Sequence, residues 1–201
     1  NLTDATVNAN MGDGVLTSNG ITTLNANANA DTFTVAGGTL TVNGALTNNS
    51  AAINVDAGTL AADGTIAAAS IDVAQGATLT TEEAERLNGG VALTNDGTVS
   101  LGGNETIGDL SGAGTITNNG NDLIVTQTSD QTFSGTLSGA GGLTKQGEAT
   151  LTLSTGSSFT GDANVNEGGL VVSGALATDT INVANEAAIT TTADDLLSSA
   201  A

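Results

Sequence analysis

Apolar and polar residues alternate in short runs along the chain, as in Ile71-Asp72-Val73 and Leu151-Thr152-Leu153. A period of two over such short runs predicts half-buried β-strands. Gly, Asn and Asp separate the runs, and these residues accept the positive φ that sharp turns require. Strands this short, with turns this frequent, predict a coil with three small faces.

The pattern also repeats at longer range. A unit of Val, Gly, Leu, Gly and Leu or Ile at fixed spacing occurs as Val35, Gly38, Leu40, Gly44 and Leu46. It recurs as Val55, Gly58, Leu60, Gly64 and Ile66, and again as Val165, Gly168, Leu170, Gly174 and Leu176. Residues 54–81 align without a gap on residues 164–191, a shift of 110. Asn54, Val55, Gly58, Leu60, Gly64, Ala67, Ile71, Val73, Ala74, Ala77, Thr80 and Thr81 are identical to their counterparts. Between the copies, Leu93 to Leu101, Ile116 to Val125, and Leu143 with Leu151 and Leu153 continue the layers more loosely. Self-similarity of this kind marks a stack in which each unit buries its apolar side against its neighbours. Layers of about 20 residues predict about ten coils, which at ~4.8 Å per coil make a rod roughly 50 Å long.

The expected fold is therefore all-β, a parallel β-helix of about ten coils, with residues 1–201 as a single segment. Val35, Val55, Val73, Val165 and Val183 are expected to point inward in one column, and Leu40, Leu60 and Leu170 in a second. Thr81–Leu87 and Thr192–Ser198 break the pattern, so excursions are expected near 81–90 and 192–201, each a short helix or a loop. After Ile189 only Asp194 and Asp195 are charged, and Leu2, Val7, Val15, Ile21 and Leu24 read as coil material at the other end. Both ends are expected to expose strand edges that continue into more of the same chain or join another copy.

Composition narrows the function. There is no Pro, Cys, His, Trp or Tyr, and the three Phe are the whole aromatic complement, so the core must be built from aliphatic residues, Ala and Thr. Twenty-one acidic residues against Lys145 and Arg86 give a net charge of −19. That balance argues against nucleic acid and anionic membranes as partners. It serves solubility, or weak binding of divalent cations such as calcium. No apolar run reaches the roughly 18 residues of a membrane helix, so membrane insertion is not expected. No signal peptide is recognisable, so if the protein is secreted its targeting segment is expected to have been removed or to lie outside these residues.

Residues 132–176 carry a more specific pattern: Thr132-Phe133-Ser134-Gly135, Gly142-Leu143-Thr144-Lys145, Leu151-Thr152-Leu153, Phe159-Thr160-Gly161, then Val165 and Gly168-Gly169-Leu170. This stretch resembles the autotransporter-associated β-strand repeat of type V secretion passenger domains. It departs in Ala149, where a second Gly is usual, and Asn164, where Thr is usual. The resemblance implies a right-handed parallel β-helix exported across the Gram-negative outer membrane. It implies no one activity, because such passengers include adhesins, matrix proteins, proteases and esterases.

Without His or Cys, a Ser-His-Asp or Cys-His centre and ordinary zinc sites are excluded. Paired carboxylates alone can hydrolyse glycosides, and Glu82, Glu83 and Glu85, or Asp194 with Asp195, are the candidates. Both groups also read as solvated charge. Gly120-Asn121-Asp122-Leu123-Ile124 resembles half of a calcium-binding nonapeptide, with Asn118-Asn119 in place of its glycines. A ladder of Asn and Thr along the turns is the alternative. No catalytic, cofactor-binding or metal residue is therefore assigned, and no cofactor is expected. The expected function is a non-enzymatic surface rod, adhesive or structural. Its partners would be a host or neighbouring-cell surface, a matrix, or other copies of itself. The alternatives are a self-assembling extracellular filament or surface-layer subunit and, remotely, a carbohydrate-active enzyme.

Overall fold

A computed structural model describes residues 1–198. Among these residues there is no helix; short strands stack in parallel as a β-solenoid of about ten turns. The core follows from strand alternation. In Ala52–Val55, Thr59–Ala62, Ser70–Val73 and Thr150–Leu153, every second side chain is buried and its neighbours face outward.

Three faces close the coil. On the first, Leu16, Phe33, Ile53, Ile71, Leu93 and Leu110 stack in register. A single bridge, Gly112 to Phe133, carries this face over to the Gln131, Leu151, Leu170 and Ile189 column. On the second, Leu40, Leu60, Leu79, Val99, Ile116 and Leu137 stack in register. The third begins with bridges linking Met11, Ala28 and Leu46, continues through Ile66 to Leu87, and resumes as Glu105, Leu123, Leu143, Ala163 and Ile181. Thr32–Val42 bends through one corner and serves the first and second faces at once.

Coil length is not constant. It runs from 17 residues, Leu16 to Phe33, to 22, Ile71 to Leu93. This divides the expected columns. Val35, Val55 and Val73 do stack on the first face, but Val165 and Val183 lie on the third. Leu40 and Leu60 stack on the second face, whereas Leu170 is on the first. The reason is arithmetic. Five coils on from Ile53 is Leu151, 98 residues later, so a shift of 110 overshoots by 12 residues, about two faces of a coil. The aligned segments share a local shape rather than a place in the coil. Gly58 and Gly168, Gly76 and Glu186, and Glu85 and Asp195 all have positive φ at matching positions.

Val183 also departs from expectation in exposure, at 43%, while Val165 beneath it is fully buried. No strand among the described residues pairs on its far side, so nothing seals that rung. Val15 and Ile21 are coil material, as expected, but they sit on the outward side at 73% and 68% exposure. Leu16 and Leu24 take the inward places, and a one-residue slip would reverse all four.

Both expected excursions are loops of bends and turns where described. The first returns Leu87 to the core opposite Ile66. The second leads from Ala188–Thr191 to Leu197–Ser198. Residues 199–201 of that second stretch lie outside the described residues.

Glycine is required where coils touch closely. At Gly58, φ is +77° and an added Cβ would stand 2.1 Å from the Gly38 carbonyl oxygen of the coil below.

Candidate functional site

The candidate acids do not converge. Glu83 forms an ion pair with Arg86, and Glu85 accepts a hydrogen bond from the Thr106 hydroxyl at 3.1 Å. Both belong to the Leu87 loop on the third face. Asp194 and Asp195 line a shallow cleft of about 510 Å³ with Thr191, Leu196 and Leu197 at the C-terminal end of the stack. The two acidic groups therefore sit several coils apart.

The Gly120–Ile124 stretch is a turn tied to the backbone of the coils on either side. Asp122 accepts from the Gly142 N–H at 2.8 Å, Asn118 accepts from the Gly141 N–H at 3.0 Å, and Asn121 donates to the Leu101 carbonyl at 3.1 Å. Asn119 and Gly120 both have positive φ. No cluster of three or more acidic side chains suited to a metal ion occurs among the described residues. Side-chain ladders do run along the turns. Asn43 donates to Asn25 and Asn25 to Asn8, while Asn182 donates to Asn164 and Asn164 to Thr144.

The residues with distinctive chemistry are inside the stack. Glu105, Gln127 and Lys145 are all fully buried. Glu105 sits where the ladder of the third face is interrupted. Its carboxylate accepts the N–H groups of Arg86 at 3.1 Å and Leu87 at 3.0 Å, replacing the strand that fails to reach them. Gln127 does the same at the interruption of the first face. Its amide accepts from the Leu110 N–H at 3.2 Å and donates to the Leu110 carbonyl at 3.4 Å, standing in for a backbone amide.

Lys145 donates to the carbonyls of Gln146 and Gly147, both at 2.8 Å, and of Glu167 at 3.2 Å. Its ammonium thus places all three protons on one corner of the coil. Burial lowers its pKa, opposed by the fields of Glu167, Asp109 and Asp130. Above this corner is a cleft of about 310 Å³ lined by Glu148, Asn166, Glu167, Gly168, Asn185 and Glu186. None of Glu105, Gln127 and Lys145 is among the site residues expected from the sequence. The signal was available in the alternation: Leu143-Thr144-Lys145 and Glu105-Thr106-Ile107 put Lys145 and Glu105 at inward positions.

The two perturbed carboxylates give opposite pH dependences. Burial pushes the Glu105 carboxyl up, against the hydrogen bonds from Leu87 and Arg86. A folded pKa above the unfolded one contributes stability at low pH that is lost as pH rises through the folded value. For Asp109, burial also raises the pKa, but hydrogen bonds from Ser129 and Thr128 outweigh it and leave the carboxyl low. That contribution is lost as pH falls through its folded value. Stability should therefore be greatest in mildly acidic solution, between the two titrations, and decline as pH rises through the folded Glu105 value. Glu105→Gln should flatten that decline in a series of thermal midpoints. An unchanged slope would assign it instead to the overall acidity.

These stacked coils, with polar side chains mending breaks in the backbone ladder, define a parallel β-solenoid whose ordered groups serve the stack itself. Residues 143–172 match the family model of the passenger-associated-transport-repeat. Comparisons with curated proteins and with solved structures give no significant match. The matched segment runs from Leu143–Gln146 on the third face to Gly169–Val172 on the first, about one and a half coils, and contains the buried Lys145.

Proposed function

We propose that this chain is a non-enzymatic rod segment of a bacterial autotransporter-like passenger, secreted or held at the cell surface outside the outer membrane. The observation that carries this reading is the match at residues 143–172, which falls within a continuous stack rather than on an isolated motif. A solenoid of this length serves as a stiff spacer that holds loops away from a surface. Its partners would be a host or neighbouring-cell surface or a matrix, with no nucleic acid and no membrane insertion. Fused ahead of a translocating β-barrel and produced in a Gram-negative host, the chain should become accessible to added protease in intact cells. Retention in the periplasm as a folded rod would defeat the reading.

Absence of catalysis is part of the same proposal. Purified protein should turn over no ester, peptide or polysaccharide on a broad panel. Turnover abolished by Asp194→Asn or Glu83→Gln would reverse it.

Exposed apolar groups at the C-terminal rung support a second reading. Val183 and Leu197 are exposed, and Ile181 and Ile189 only half-buried, on strands with no partner on their far side among the described residues. Such an edge takes either more of the same chain or the first coil of another copy, giving open head-to-tail chains. Repulsion at −19 per chain opposes this and weakens with salt, the Debye length being about 10 Å at 0.1 M. Light scattering and electron microscopy across a salt and calcium series should show association that grows with ionic strength. A monomer at high concentration and high salt would leave only the covalent rod.

A further inference from the structure

The outward side of the second face carries a regular two-row array. Its first row is Thr39, Thr59, Thr78, Thr98, Thr115 and Thr136, each paired in register with the next. Its second is Thr41, Ala61, Thr80, Ser100, Thr117 and Ser138, in the same register. Between the rows lie the buried residues Leu40, Leu60, Leu79, Val99, Ile116 and Leu137. Six consecutive coils thus present Thr, a buried aliphatic, then Thr or a smaller residue, without a register shift. Neither row holds a charge, on a chain whose net charge is −19.

Strand geometry fixes the dimensions. Side chains recur every ~4.8 Å from coil to coil, the rows stand about 6.6 Å apart, and five coil spacings make a patch roughly 24 Å long. Thr is stiff at χ1, so methyl and hydroxyl positions are held as well as Cβ positions. Among the described residues, the hydroxyls of Thr39, Thr59, Thr78 and Thr98 bond to no protein group; the one contact within the first row is Thr136 to Thr115, at 3.5 Å. In the second row the Ser100 hydroxyl accepts from Asn119 at 2.9 Å, so the free hydroxyls are those of the first row's leading four threonines.

We propose that this face binds ice. A rigid lattice of alternating methyl and hydroxyl groups matches a solid whose oxygens repeat at similar intervals along and across its prism face. Liquid water has no fixed repeat to match. The methyls order a cage of water against the face, and the hydroxyls tie that cage to the strands. Other occupants fit less well. Sugar rings need an aromatic platform, and all three Phe are buried in the core. A second copy lying side by side on this face would align two chains of net charge −19 along their length. Adsorbed rods force ice to grow in curved fronts between them, which halts growth below the melting point.

The test uses the whole chain and is independent of whether it is displayed on a cell. An ice hemisphere is grown slowly from solution, and the protein in the ice is compared with that in the liquid. The gap between melting and growth temperatures of a single crystal is read in parallel. Wild-type protein should enter the ice and open a gap. Thr78→Lys and Thr98→Lys, at the centre of the array, should reduce both severalfold with an unchanged melting curve of the fold. Thr152→Lys, outward on the first face, is the matched control and should retain both. Exclusion of the wild type from ice would overturn the proposal, as would equal loss in the control. So would sedimentation showing that Thr98→Lys dissolves a dimer in a protein without ice activity.

Discussion

Phe133→Ala should lower the free energy of unfolding by about 3–5 kcal/mol, among the largest losses expected from a single side chain in this fold. Phe133 is fully buried on the first face, at the bridge that, among the described residues, joins the two halves of that face. The residue opposite it, Gly112, has no side chain, and its backbone lies so close to Asn95 that a Cβ would stand 2.2 Å from the Asn95 carbonyl oxygen. The ring reaches to Gly135, where an added Cβ would stand 2.6 Å from its Cζ. Truncation would leave two small residues in succession, with no slack in the tightly stacked backbone to close the gap. Phe133→Leu should cost distinctly less, because most of the volume returns. With no Trp or Tyr in the chain, urea unfolding is best followed by far-ultraviolet circular dichroism. A midpoint unmoved by Phe133→Ala would show that the two halves are not coupled through this contact.

Lys145 should prove equally sensitive, for a different reason. Lys145→Ala removes a buried stem and three donors together, and about 3–6 kcal/mol of stability should go with them. Lys145→Met restores most of the volume but no proton. Among the described residues, no backbone N–H reaches the carbonyls of Gly147 and Glu167, so the Met variant leaves both without a donor. Relief from burying the charge offsets part of that loss, and a net cost of about 1–3 kcal/mol is expected. The order wild type, Met, Ala in denaturation midpoints assigns Lys145 to holding the corner. A Met variant as stable as the wild type would make the residue a volume filler only.

Both residues lie within or beside the stretch 143–172, yet one was easier to read than the other. Phe133 is aromatic and flanked by polar residues, so its burial follows from alternation. Lys145 obeys the same alternation, but its charge argues for the surface unless backbone carbonyls are known to wait inside. Those carbonyls are left free by the geometry of the corner, which depends on the neighbouring coil. The same holds for Glu105, whose acceptors are needed because the third face breaks between Leu87 and Glu105. Gln127 fills the equivalent break on the first face.

The sequence by itself determined the strand alternation, the parallel stack and the count of about ten coils. These follow from local rules: the period of two, and turn residues at short intervals. It also determined that Leu40 and Leu60 share a column, because the coil between them has the assumed length of 20 residues. Only the tertiary structure decided which face each later strand occupies. Turn lengths vary by a few residues, and the errors accumulate along the chain. Val165 and Leu170 consequently repeat the local shape of Val55 and Leu60 while turning a different corner. The tertiary structure likewise decided that Val183 is exposed, since burial of a rung depends on the coil above it, which no residue within the rung encodes.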